Sequence, residues 1–204
     1  MTPVVVTSGS AVISKAPDVA YVSVAVETRA KTPREAQRQN ADLMNAVVKR
    51  LGELSVPADA RRTSSLNLDQ EFDTTNGRRV PRDFAARHSL EIRVDDVSKA
   101  GEIADAAVQA GATSIEGIRF DLKDRAVVER EAVRLAVADA RARAEAAAAG
   151  AGRTLDRILK IEDGEPTPAP RPMMAMRMGA GAATVVEPRA IEIRAAVTLT
   201  VSMK

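Results

Sequence analysis

From Ala190 to Met203 the chain alternates almost without a break, with Ile191, Ile193, Ala195, Val197, Leu199 and Val201 recurring at every second position. Successive side chains of a β-strand point to opposite faces, so this period of two describes a strand with one buried face and one wet face. A strand of that length needs partners for its backbone N–H and C=O groups. It is therefore expected inside a sheet, beside antiparallel neighbours, with an apolar layer on one side.

The same period recurs upstream. Residues 3–16 read as one or two short strands with Gly9-Ser10 as the bend. From Ala20, Val22, Val24 and Val26 alternate with Tyr21, Ser23, Ala25 and Glu27, a half-buried strand that ends near Lys31. Thr32 is then a plausible N-cap, Pro33 occupies the first helical position and Glu35 completes a capping box. Ala36, Leu43, Met44, Val47, Val48, Leu51 and Leu54 recur at three and four, and Val56-Pro57 stops the helix. Residues 63–72 and 84–94 form a strand pair around the turn signal Asn76-Gly77, with a connection longer than a two-residue hairpin. On the second of these strands Phe84, Ala86, His88, Leu90, Ile92 and Val94 share an apolar face, and Arg87, Ser89, Glu91 and Arg93 a wet one. Asp95 or Asp96 caps a second helix through Ile103, Ala107 and Val108 that ends at Gly111, and residues 114–122 make a further strand in which Gly117 marks a bulge.

That order, strand, helix, strand, strand, helix, strand, is the split βαβ or ferredoxin-like arrangement, and right-handed crossovers lay both helices on one sheet face. The fold class expected is thus α+β, a ferredoxin-like βαββαβ order followed by a long helix and closing antiparallel strands, with helices packed on sheet. The long helix covers residues 124–149. Its expected buried stripe is Val128, Ala132, Leu135, Ala142, Ala146 and Ala149, so whatever packs on its alanine-rich half can approach closely. Gly150 and Gly152 end it, and a short strand at 157–161 follows. Residues 164–188 carry five of the ten prolines and no period, and read as a flexible Pro/Met-rich loop. The chain as a whole reads as one domain, residues 1–204, with a division into lobes of about 1–122 and 123–204 as the alternative.

Composition removes several functions. Aromatic residues make up 2% of the chain, which argues against recognition by stacking on bases, and the excess of 30 basic over 28 acidic residues is too small to imply a nucleic-acid partner. There is no cysteine, hence no disulfide, thiolate metal site or cysteine nucleophile. No apolar run reaches the roughly 20 residues that span a bilayer. The opening Met1-Thr2-Pro3 lacks a basic and then apolar leader, which reads either as no export or as a signal already removed.

Candidate chemical groups are sparse. His88 is the single histidine, sits on an apolar strand face and reads as a structural residue. Asp95-Asp96 and Asp121 with Asp124 look like acid pairs but stand where helices begin, where capping explains them. Arg78, Arg79 and Arg82 cluster at a hairpin tip and read as a solvated turn, with an anionic surface as the functional alternative. Gly150-Ala151-Gly152 follows a helix and is no phosphate loop. The sharpest oddity is Met173, Met174, Met176 and Met178, whose thioethers suit Cu(I). A flexible apolar contact surface or plain disorder competes with that reading.

One resemblance covers nearly the whole chain. Gly9, then Ala16-Pro17-Asp18 leading into the Val-rich strand and Glu27, Lys31-Thr32 with Glu35-Ala36 and Asn40, and Phe84-Ala85-Ala86-Arg87 before Ser89-Leu90 carry its first half. Residues 106–112, residues 136–142 and Glu187-Pro188 carry the second. In order and spacing these resemble the SIMPL-domain family, which includes bacterial periplasmic immunogenic proteins and an oxidative-stress defence protein. The resemblance implies an α+β fold, frequent export to the periplasm, ring-like or channel-like assemblies in some relatives, and no established enzymatic activity or catalytic residues. The expectation is accordingly a non-enzymatic cell-envelope protein that self-associates, linked to stress tolerance, with no cofactor and no nucleic-acid partner. A Cu(I) or small-molecule binder using the Met-rich loop is the alternative, and an unrecognised enzyme ranks last. A periplasmic or secreted location with peripheral envelope association, and a cytoplasmic one, both stay open.

Overall fold

The computed structural model describes residues 3–75, 78–164 and 188–204, so Met173, Met174, Met176, Met178 and most of the 164–188 segment lie outside the described residues. Among the described residues seven strands and three α-helices follow one another as β1 (Val4–Lys15), β2 (Val19–Ala30), α1 (Pro33–Glu53), β3 (Arg61–Thr75), β4 (Arg78–Val94), α2 (Ala100–Gln109), β5 (Ser114–Asp121), α3 (Arg125–Gly150), β6 (Leu155–Gly164) and β7 (Ile191–Met203). They divide into two compact units. Among the described residues one unit runs from Pro17 to Asp121, and the other joins the segment up to Ala16 with residues from Leu122 to Gly164 and from Ala190 onward. The lobes therefore do not part at residue 122 alone. The first strand leaves the lobe that contiguity would give it and pairs with the last.

In the contiguous unit the sheet order is β3-β4-β2-β5, every pairing antiparallel. This is the split βαβ arrangement, with β4 inserted between β2 and β3. Even-numbered residues of β2 and β4 (Ala20, Val22, Val24, Val26, Leu90, Ile92, Val94) share one core with Met44, Val47 and Leu51 of α1 and Ile103, Ala104 and Ala107 of α2. Both helices therefore lie on one face of the sheet, and Val22, Val24 and Ile92 are fully buried beneath them.

Local chemistry sets the helix limits. Thr32 is extended at φ −126° and its Oγ1 accepts the Glu35 N–H at 3.3 Å, with Pro33 opening the helix. At the other end Val56 N–H reaches Leu51 C=O while Ser55 holds φ +61°, a left-handed closure usually made by glycine. Asp96 caps a 3-10 turn over Val97–Lys99 that leads into α2, accepting from Ser98 N–H and Oγ. Val108 of α2 is exposed instead of buried. The β3–β4 pairing continues to Thr75 opposite Arg78, so both strands run further than the expected limits at 72 and 84.

In the second unit β7 lies between β1 and β6, antiparallel to both, and α3 covers one face. Ile193, Ala195, Val197, Leu199 and Val201 are buried there, as their alternation requires. The buried residues of α3 are Val128, Ala132, Ala136, Ala140, Ala144 and Ala148. Leu135, expected inside, is exposed, and the inward row advances by a strict four residues. The reason is Gly9. β1 is one continuous strand with no bend at Gly9-Ser10, and a Cβ built on Gly9 would stand 2.2 Å from Ala140 N and 2.3 Å from Ala136 O. The helix backbone rests on the strand backbone, which only a row of alanines facing a glycine permits. Thr7 Oγ1 donating to Ala140 C=O at 2.8 Å and Ser10 N–H donating to Asp139 Oδ2 at 3.0 Å lock the contact. The Ser10 N–H, then Arg143, hold the Asp139 carboxyl below its usual range. Gly152, at φ +68°, closes α3 as expected, with Arg153 N–H reaching Ala148 C=O, and β6 is longer than the short strand expected.

Candidate functional site

The split βαβ order puts α1 over β2 and β4, while β3, the edge strand, keeps its helix-side face largely uncovered. A trough of about 390 Å3 remains between α1 and β3. Gln37, Ala41 and Asn45 of α1 form one wall, Leu66 and Leu68 of β3 the other, and Met44, Asn40, Ala86 and His88 the floor. The apolar strip continues along β3: Leu66, Leu68 and Phe72 are between 41% and 57% exposed, whereas the exposed Val80 of β4 stands opposite Asp73 on the other face. Arg79 lies over the Phe72 ring at 4.4 Å and Arg82 pairs with Asp73 at 2.9 Å, so two of the three tip arginines are held within the hairpin.

Asn40 is the best-buried polar group of the trough. Its Nδ2 donates to Val26 C=O and Ala86 C=O at 2.8 Å each, tying α1 to both central strands, and Thr28 Oγ1 donates to Ala36 C=O at 2.7 Å. His88 Nε2 lies 3.0 Å from Thr63 Oγ1, and burial pushes its pKa down, so the imidazole is neutral near pH 7. No carboxylate is among the described residues lining the trough, so His88 there has no acid to orient it for proton transfer. His88 stands on the helix-side face of β4 with Ala86, the face the alternation gives it. What the trough offers is apolar surface edged by amides.

The opposite face of the same sheet carries a lattice of charges. Arg87 bridges Glu27 at 2.8 Å and Glu116 at 2.7 Å, Ser89 Oγ donates to Glu116 at 3.1 Å, and Arg29 reaches Glu71 at 3.0 Å. A register shift opposite Ser23 and Val24, next to Gly117, leaves Glu116 as the extra residue of β5 and turns it toward Arg87. Arg87 draws the Glu116 pKa below the ordinary carboxylate range, and Glu116, followed by Glu27, raises that of Arg87. Carboxylates fixed as anions by guanidinium groups are poor proton donors at neutral pH, so the lattice holds strands rather than moves protons. The wet face is an ion-paired face, and Ser89 on it is buried.

The acid pairs resolve in different ways. Asp96 is a cap as expected. Asp124 stands at the N-cap of α3 without a side-chain cap bond, and Asp121 pairs with Arg119 at 2.7 Å. Arg93 approaches Asp95 at 3.6 Å. Among the described residues no group of three or more His, Cys, Asp or Glu is placed to hold a metal ion, and no helix is long and apolar enough to cross a membrane.

Asn40 was legible as an anomaly, since a polar residue on the Ala36–Met44 stripe must find partners. The exposed leucines of β3 were not, because alternation says which residues share a face and not whether a helix covers it.

A family model described as "SIMPL: Protein of unknown function (DUF541)" matches residues 5–201. The chain belongs to the SIMPL family. This SIMPL chain is 24% identical over 135 residues to the uncharacterized protein YggE of Escherichia coli (strain K12), which covers 66% of the chain and 55% of that protein. It is 26% identical over 161 residues to the 26 kDa periplasmic immunogenic protein of Brucella melitensis biotype 1, covering 76% of the chain and 64% of the relative. The SIMPL chain thus spans between 55% and 64% of the length of these two curated relatives.

Proposed function

We propose that the protein is a non-enzymatic, self-associating component of the cell envelope, and that copies meet along the uncovered apolar strip of β3. The observation that carries this reading is that Leu66, Leu68 and Phe72, all exposed, stand on a fifteen-residue edge strand. Long edges carry unpaired backbone groups and invite another chain unless protected, and an apolar strip beside such an edge adds burial to the pairing. A trough edged by amides, with no carboxylate among the described residues that line it, supports contact rather than catalysis. The periplasmic name of the Brucella relative supports the envelope location, and the link to stress tolerance comes with the family resemblance.

The test is analytical ultracentrifugation of the intact protein and of Leu66→Glu/Leu68→Glu over a range of concentrations. Both positions are exposed, so the variant is expected to melt like the parent. An intact protein that assembles with rising concentration and a variant that stays monomeric are the expected pair. A strictly monomeric intact protein overturns self-association, and an equally assembled variant removes β3 from the contact.

A further inference from the structure

The second unit contains a cleft of different chemistry. Where α3 rests on β1 at Gly9 the two backbones touch, but toward the end of β1 the side chains of Ile13 and Val128 stand between them and a cleft of about 470 Å3 remains. Val127, Arg130, Glu131 and Arg134 line it from α3, a spacing of three and four that places them on one helix face, and Ile13 and Lys15 line it from the edge strand β1. Its volume falls within the range of about 300–1,000 Å3 typical of small-molecule sites.

The wall and the rim differ in kind. Ile13, Val127 and Val128 supply the apolar wall, with Val127 in the first turn of the helix left largely exposed. Three cations and one carboxylate stand around it, and the carboxylate, Glu131, is taken by Arg134 through two contacts of 2.8 and 2.6 Å. That pairing holds the Glu131 carboxyl below its usual range. Lys15 and Arg130 have no ion pair among the described residues. Among the described residues, two cations without an ion pair thus stand beside the exposed Val127.

We propose that this cleft binds a free, single-chain anionic amphiphile, a fatty-acid carboxylate, with its tail against Ile13, Val127 and Val128 and its headgroup between Lys15 and Arg130. A carboxylate completes the charge that Glu131 leaves unmet, since Glu131 is already engaged. Apolar surface alone would accept any hydrocarbon, so the selection for an anion rests on the two cations.

The experiment is a calorimetric titration of the full chain with monomeric decanoate, with decyltrimethylammonium as the cationic control and phosphatidylglycerol vesicles as the membrane control. Decanoate is expected to saturate one site per chain, and decyltrimethylammonium is not. Lys15→Ala/Arg130→Ala removes two charge-assisted contacts and should weaken decanoate about tenfold or more. Val127→Glu, at an exposed position, should abolish binding by placing a carboxylate on the apolar wall, and a thermal melt monitors folding of both variants. Equal affinity for the two amphiphiles, or unchanged decanoate affinity in the double variant, overturns the proposal. So does binding to vesicles without binding of monomeric decanoate.

Discussion

At the scale of single residues, two positions carry more than their size suggests. Gly9 is needed for the absence of a side chain, because the space of its Cβ is held by the backbone of Ala136 and Ala140. Neither neighbour is a flexible side-chain end, so Gly9→Ala must lift the helix or bend the strand, at about 1–3 kcal/mol or more. Chemical denaturation should report that loss, and unchanged stability would contradict the backbone-on-backbone contact. Glu116 shows its role through pH. Its carboxyl is pulled down by Arg87, so the stabilisation is complete above the ordinary carboxylate range and fades as pH falls through the lowered value. Glu116→Gln should therefore flatten the acid side of a melting-temperature profile relative to the parent. His88 acts in the same direction for a different cause. Burial lowers its pKa, so the unfolded chain takes up the proton first and stability declines as pH drops below about 6.5. His88→Asn should remove that decline while the fold persists.

Among the elements, the strands were the most legible and the partners of their faces the least. The closing alternation of β7 required a central antiparallel strand, and Val197, buried between α3 and the sheet, is its clearest member. Val197→Asp places an unpaired charge in that core and should cost several kcal/mol, read as a large drop in melting temperature. The inward row of α3 was misplaced because alanine fits a buried row and an exposed face equally well. Hydrophobic periodicity cannot choose between Ala140 and Ala142 when both are methyl groups, and the choice belongs to Gly9 on another element. For the same reason Gly9 reads locally as a bend, since its purpose lies 127 residues away in Ala136. The candidate trough was half legible. His88 and the apolar face of β4 were visible in the alternation, whereas the openness of Leu66 and Leu68 follows from where α1 comes to lie.

For the whole molecule, the two units answer different demands. One is a split βαβ layer whose edge strand is left with apolar side chains in solvent, and the other joins the two ends of the chain through β1 and β7. The proposed self-association along β3 would give Leu66, Leu68 and Phe72 a reason to be apolar where a solitary edge would favour charge. The most direct measurement is amide hydrogen exchange of β3 at low and high protein concentration, read peptide by peptide. If copies meet on this strand, protection of residues 64–74 rises with concentration while that of β7, already central in its sheet, stays constant. Protection of 64–74 that is the same at both concentrations, in a sample whose mass does increase, would place the contact elsewhere and contradict the role given to β3.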